Sequence, residues 1–143
     1  MSEHWIWRSD HVIPSDAAAG RRVVDELLDQ LELQHWRQCD IFSVNLAVEE
    51  ALVNAIHHGN RLAADKSVRV SCQVSPDRVR IEITDEGCGF DPSSVPDPTC
   101  PERLHEACGR GVMLMRAFMS RVEYSAEGNH VILEKDRDGP GNE

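Results

Sequence analysis

Residues 68–85 read Val68-Arg69-Val70-Ser71-Cys72-Gln73-Val74-Ser75-Pro76-Asp77-Arg78-Val79-Arg80-Ile81-Glu82-Ile83-Thr84-Asp85. Val68, Val70, Cys72 and Val74 fall on one face of an extended chain, and Val79, Ile81 and Ile83 on one face of the next. Ser75-Pro76-Asp77 carries turn residues, so the segment predicts two strands joined by a tight turn. A strand pair with an apolar face has to be covered, and the flanking sequence offers helices for the purpose.

Upstream, Ile41, Val44, Val48, Ala51, Leu52 and Ala55 recur at helical spacing. Asp40 is a credible N-cap for that helix and Gly59 a credible stop. Before it, Pro14-Ser15-Asp16 starts another helix with Val24, Leu27, Leu28 and Leu31 on one stripe. The opening segment, His4 to Ile13, reads as a strand. Downstream, Glu86 to Cys108 loses periodicity and gathers Pro92, Pro96, Pro98 and Pro101. Such a stretch in a small domain is a lid, a binding loop or a disordered segment. Gly109 to Met119 then looks helical, with Val112, Met115 and Met119 on one side, and two short strands follow at about Val122–Ser125 and His130–Lys135. That order predicts an α+β domain with an antiparallel or mixed sheet covered on one face. A doubly wound parallel sheet needs an alternation of strand and helix that is missing here.

The chain has 143 residues, 41% hydrophobic and 28% charged, which suits one folded domain rather than a disordered chain. We expect that domain over residues 1–135 and a flexible polar tail over 136–143. Lys plus Arg number 15 against 25 Asp plus Glu, a formal charge of −10. Non-specific nucleic-acid binding draws on a surplus of Lys and Arg, so direct nucleic-acid contact is not expected. An acidic surface suits basic protein partners, or serves solubility alone. No apolar run is long enough to span a bilayer, and Met1-Ser2-Glu3-His4 lacks the layout of a secretion signal, so a cytoplasmic protein without membrane contact is expected. Cys39, Cys72, Cys88, Cys100 and Cys108 form no C-x-x-C pair and are read as free thiols.

Three segments carry candidate chemistry. In Glu49-Glu50-Ala51-Leu52-Val53-Asn54-Ala55-Ile56-His57-His58, the residues Glu50, Asn54 and His58 recur every fourth position and stack on one helix edge. At about 100° per residue, Glu50 lies about 40° from Asn54 and Glu49 about 140° away. An isolated E-x-x-x-N is most often a solvated stripe, but this one lies beside Ala51 and Ala55. An amide oxygen such as that of Asn54 suits Mg²⁺, which takes few protein oxygens alongside waters and phosphates. Glu50, one turn earlier, can accept a proton from a hydroxyl or water.

The second segment, Asp85-Glu86-Gly87-Cys88-Gly89-Phe90, follows the second strand of the hairpin. A carboxylate there can accept from an exocyclic amine, and Gly87 and Gly89 let backbone approach a flat ring. G-x-G alone also marks an ordinary turn. The third, Gly109-Arg110-Gly111-Val112, opens a helix whose free amide groups form an anion site. Arg110 either adds charge there or faces solvent. Taken together, the helix edge, strand end and helix start describe one nucleotide pocket with a flexible segment between the last two.

These motifs resemble those of the GHKL (Bergerat-fold) ATPases. Glu50, Asn54 and His58 resemble the N-box, Asp85-x-Gly87-x-Gly89-Phe90 the first glycine box, and Gly109-Arg110-Gly111 the second. Length and lid are most similar to the anti-sigma-factor serine/threonine kinases, and the similarity runs from about Ile13 to Lys135. The resemblance implies a two-layer α/β sandwich with a mixed, mostly antiparallel sheet. It implies ATP bound with Mg²⁺, Asn54 on the metal, Asp85 on the adenine amino group, and the glycine boxes, with Arg110 and Val112, bordering the lid. Glu50 takes the place of the family's general base. The implied activity is phosphorylation of a serine or threonine on an anti-anti-sigma (STAS-domain) protein, with a sigma factor as second partner and a homodimer as the assembly. The alternative is a non-catalytic, ATP-responsive module that sequesters a sigma factor or other regulator. Many relatives carry Gly-Thr before the last strand, where this chain has Gly128-Asn129-His130.

Overall fold

Alternating apolar residues make the sheet, and the computed structural model, which describes residues 5–60, 65–87, 115–125 and 129–137, shows how it is assembled. Five strands lie in the order β1-β2-β3-β5-β4. They are β1 (Trp7–Pro14), β2 (Ser67–Val74), β3 (Arg78–Asp85), β4 (Arg121–Tyr124) and β5 (His130–Asp136). Every described pairing is antiparallel, the dominant arrangement expected. The β2–β3 register sets Val70 opposite Ile83, Cys72 opposite Ile81 and Val74 opposite Val79, so the apolar sets share a face. Ser75 builds the turn: its N–H donates to the Arg78 carbonyl at 2.8 Å, and its Oγ accepts the Arg78 N–H at 2.9 Å.

Helices α1 (Ala17–Leu33) and α2 (Gln38–Val53) cover that face. Asp16 caps α1, its backbone extended and its side chain accepting the Ala18 N–H at 3.4 Å. The helix ends without glycine. His35 takes φ 61°, its N–H reaches the Glu32 carbonyl and the Trp36 N–H the Leu31 carbonyl, each at 3.0 Å. That is a Schellman closure in which His35 accepts the left-handed conformation and Trp36 is buried next to the helix it ends.

Two expectations for α2 change. Arg37, not Asp40, is the cap residue, and Asp40 sits in the first turn, buried between Arg37 and Lys135. A carboxylate flanked by two cations gains more there than by capping, and a negative charge in a first turn still suits the helix dipole. At the other end, α-winding stops at Val53 and a π-helical turn runs over Asn54–Gly59. It is closed by the Asn60 N–H on the Ala55 carbonyl at 2.8 Å.

Val24, Leu27 and Leu31 of α1 and Val44, Val48 and Leu52 of α2 pack on Val68, Val70, Cys72, Val79, Ile81, Ile83 and Leu133 of the sheet. Each such side chain stabilises the fold by about 1.5–3 kcal/mol on burial. Residues 115–118 are helical, as part of the expected 109–119 helix, and Met115 and Met119 are buried. The far face of the sheet carries ion pairs instead, among them Arg69–Asp10 at 2.7 Å and Arg121–Glu123 at 2.6 Å. Exposed pairs of this kind contribute little each. The tail expected from residue 136 has its first two residues in the fold: Asp136 ends β5, and Arg137 donates to the His35 carbonyl at 2.8 Å. No described helix is long and apolar enough to cross a membrane. Cys39 and Cys72 are free thiols, and burial pushes the Cys72 thiol up to about 12.

Candidate active site

Strand alternation explains Asp85. Val79, Ile81 and Ile83 point into the core, so the next inward position, at the tip of β3, falls to a carboxylate that is 8% exposed. Its N–H donates to the Asn129 carbonyl at 2.9 Å, and its Oδ1 accepts the Gly87 N–H at 2.8 Å. Burial holds its pKa above the usual carboxylate value, with the Gly87 N–H and the charge of Lys66 pulling less strongly the other way. Glu86, one residue on, faces solvent and accepts from Ser67 Oγ at 2.7 Å and from the Ser67 N–H. Those hydrogen bonds hold Glu86 below its usual value. Adjacent carboxylates are thus shifted in opposite directions.

Helix α2 separates its two glutamates as the spacing predicts. Glu49 turns toward α1, where it pairs with Arg21, and Arg21 also holds Asp25 at 2.7 Å. Glu50 is half-buried on the other edge and makes no hydrogen bond or ion pair among the described residues. Asn54 follows one turn later, 7% exposed, and its Nδ2 has no hydrogen-bond partner among the described residues. A buried amide end left unmatched costs about 1–3 kcal/mol, a cost that a ligand or water on that nitrogen would remove. Whichever end of the amide faces that space, a phosphate oxygen suits the nitrogen and a hard cation the oxygen.

The π-turn packs against β3, which brings the end of the Glu50–Asn54 edge to the strand that carries Asp85. The π-winding over Asn54–Gly59 takes slightly more than four residues per turn, so position 58 falls just short of a full turn from Asn54 and stays on its side of the helix. The His58 side chain lies outside the described residues. So do Gly89, Phe90, Gly109, Arg110, Gly111 and Val112. Gly87 is in place beside Asp85. Among the described residues no three His, Cys, Asp or Glu side chains are grouped to hold a metal. The donor set fits a cation taken through one amide oxygen and phosphate oxygens, the manner of Mg²⁺.

One residue escaped the sequence reading. Asn60 is 1% exposed and joins the π-turn, β2 and the residue after Asp85. Its one sequence signal is a polar residue directly after the helix-stopping Gly59.

The match to known proteins follows the same elements. Residues 13–135 match the model of the histidine kinase-like ATPase domain. The chain belongs to that family. Among curated members, it is 34% identical over 101 residues to the anti-sigma F factor of Clostridium beijerinckii, covering 67% of this chain and 71% of that one. It is 28% identical over 96 residues to the serine/threonine-protein kinase BtrW of Bordetella bronchiseptica, covering 64% and 68%. The crystal structure of the RsbU and RsbW domains of Rv1364c from Mycobacterium tuberculosis shares the fold, with a TM-score of 0.61 at 17% identity. That match covers 92% of this chain and spans 32% of the longer one. The α+β sandwich of this histidine kinase-like ATPase domain is therefore a shared architecture, and the family implies use of ATP.

Proposed function

We propose that the protein is an ATP-dependent serine/threonine kinase and anti-sigma regulatory factor that phosphorylates an anti-anti-sigma (STAS-domain) protein. The observation that carries the reading is the division of labour on α2. Glu49 is held by Arg21, while among the described residues Glu50 stands unpaired one turn before a buried Asn54 whose Nδ2 is unmatched. A module that only sequesters a partner has no use for an unpaired carboxylate beside that amide.

In this reading Asp85 accepts from the adenine amino group, with Gly87 and Gly89 against the ring. Asn54 offers its oxygen to Mg²⁺, which when bound neutralises phosphate charge. Gly109, Arg110, Gly111 and Val112 border the phosphates, and His58 belongs to the same box. Glu50 accepts the proton of the incoming serine hydroxyl as its oxygen bonds to the γ-phosphorus, and the bond to the β-phosphate oxygen breaks to leave ADP. Positioning and charge neutralisation supply most of the rate in such transfers. The relatives named anti-sigma F factor support a sigma factor as the second partner. A cytoplasmic homodimer completes the proposal.

The test is to mix the protein with ATP, Mg²⁺ and candidate STAS-domain proteins. Phosphoserine on the partner is the expected result. Free phosphate alone would make the protein an ATPase. Neither product, with a sigma factor retained in an ATP-dependent pull-down, would make it a binding module.

A further inference from the structure

Asn60 stands where the π-turn gives way to the strands, and the proposed chemistry does not use it. Its side chain is fully engaged. Oδ1 accepts the Glu86 N–H at 2.8 Å, and Nδ2 donates to the Ser67 carbonyl at 2.9 Å and to Ser15 Oγ at 3.0 Å. Ser15 Oγ donates in turn to the Lys66 carbonyl at 2.9 Å. The Asn60 N–H closes the π-turn on Ala55 at 2.8 Å. One buried amide therefore ties the end of the helix that carries Glu50 and Asn54 to the backbone next to Asp85.

We propose that Asn60 is a positioning residue that sets the span between Asn54 and Asp85. The proposal rests on the nucleotide reading of that site. A ligand held at its base by Asp85 and at its phosphates near Asn54 is sensitive to their separation, because an error of about 1 Å can cost 10²-fold in a positioned reaction. Apolar packing of Ala55 and Ile56 resists separation of the elements but is non-directional, whereas hydrogen bonds fix distance and angle. The π-turn itself needs a holder. Rewound as an α-turn, it would pass the Asn60 N–H from Ala55 to Ile56 and swing the amide off Glu86, releasing both constraints together.

The experiment compares Asn60→Ala, Asn60→Asp and a core control, Val24→Ala, by two measurements. One is ADP affinity by calorimetry with and without Mg²⁺. The other is amide exchange at Gly87 in the ligand-free protein. Gly87 bonds to Asp85 and not to Asn60, so its protection changes only if the strand tip itself moves. Asn60→Ala is expected to speed Gly87 exchange and weaken ADP binding by about tenfold each. Asn60→Asp still accepts the Glu86 N–H but cannot donate to Ser67, so it should lose thermal stability yet keep both readings within about threefold of wild type. Val24→Ala should lose stability and leave both unchanged. Should Asn60→Ala not fold, Asn60→Ser takes its place with the same two readings. The proposal is overturned if Gly87 exchange in the alanine variant matches the Val24→Ala control, or if Asn60→Asp falls as far as Asn60→Ala. If the wild-type protein binds no ADP, the nucleotide reading fails and the Gly87 result alone decides whether Asn60 positions the tip.

Discussion

The two ends of α2 treat buried charge in opposite ways. At its start, the Asp40 side chain is 3% exposed, with Arg37 Nε at 3.6 Å and Lys135 Nζ at 3.8 Å. Lys135 also donates to the Phe118 carbonyl at 3.0 Å, and the Arg137 guanidinium lies 5.3 Å over the Trp36 ring. The two Asp40 distances are beyond hydrogen bonding, and Asp40 Oδ2 and Trp36 Nε1 have no hydrogen-bond partner among the described residues, yet the Asp40 charge is matched by two cations. At the far end Asn54 keeps an unmatched amide, and Asp85 is buried with no salt bridge among the described residues. A fold selected for stability alone would match both ends. The unmatched end is the one that the proposed function gives to a ligand, and in that reading the stability forgone there is the cost of function.

The contrast breaks most visibly if Glu50 is neutralised. Glu50→Gln is expected to lower phosphoryl transfer to the STAS partner by about 10²–10⁴-fold, the range for a lost general base. ADP affinity and melting temperature should stay at wild-type values. Transfer that survives unchanged would remove Glu50 from the chemistry and make α2 structural at both ends. Asp40→Ala is the mirror experiment. It leaves two partly buried cations without their carboxylate and should cost about 3 kcal/mol, read as a fall of roughly 10 °C in Tm. Transfer per folded molecule should not change.

Much of this asymmetry was legible in the sequence, and the parts that were not have physical reasons. Alternation over 68–85 gave both strands and placed Asp85 at a tip, because a period of two leaves little freedom once one face is buried. The spacing of Glu50 and Asn54 held for the same kind of reason, a fixed α-helical rotation. What that spacing does not announce is the i→i+5 turn over residues 54–59. That winding is sustained from outside the segment, by the Asn60 contacts with Ser15, Ser67 and Glu86. Asp40 misled in a similar way. Its credentials as a cap are local, whereas Lys135 lies 95 residues further along the chain and wins by tertiary contact. The glycine-led helix start, the third part of the expected pocket, falls outside the described residues.

Asp85→Asn sharpens the contrast through its dependence on pH. The native carboxyl holds its proton more tightly than the unfolded one, since burial raises its pKa. Between the two pKa values the native state binds more protons, so stability falls as pH rises through that window. The charged group is thus a burden at neutral pH and none below the unfolded value. Asparagine keeps an oxygen for the Gly87 N–H and carries no charge, so the variant should be more stable than wild type at pH 7, by the order of 1 kcal/mol. That advantage should shrink as the pH falls toward 4, while ADP binding is weakened at neutral pH. A loss of stability at pH 7 would mean that the Asp85 charge is matched after all, like that of Asp40.

The smallest effect is the most discriminating about Glu49 and Glu50. Both stand on one helix, adjacent in sequence and alike in chemistry, and only the partner differs. Glu49 and Arg21 form an ion pair across α1 and α2 with both side chains more than two-fifths exposed, 43% and 44%. Pairs so open to water contribute about 0.2–1 kcal/mol. Glu49→Gln should therefore lower stability by a few tenths of a kcal/mol, an effect that shrinks further when salt is raised. Phosphoryl transfer should be unaffected, because Arg21 already turns Glu49 away from Asn54. If Glu49→Gln instead abolished transfer while Glu50→Gln did not, the helix edge would have been assigned to the wrong glutamate. The Arg21 contact would then have to open before catalysis, and Arg21→Ala should speed the reaction.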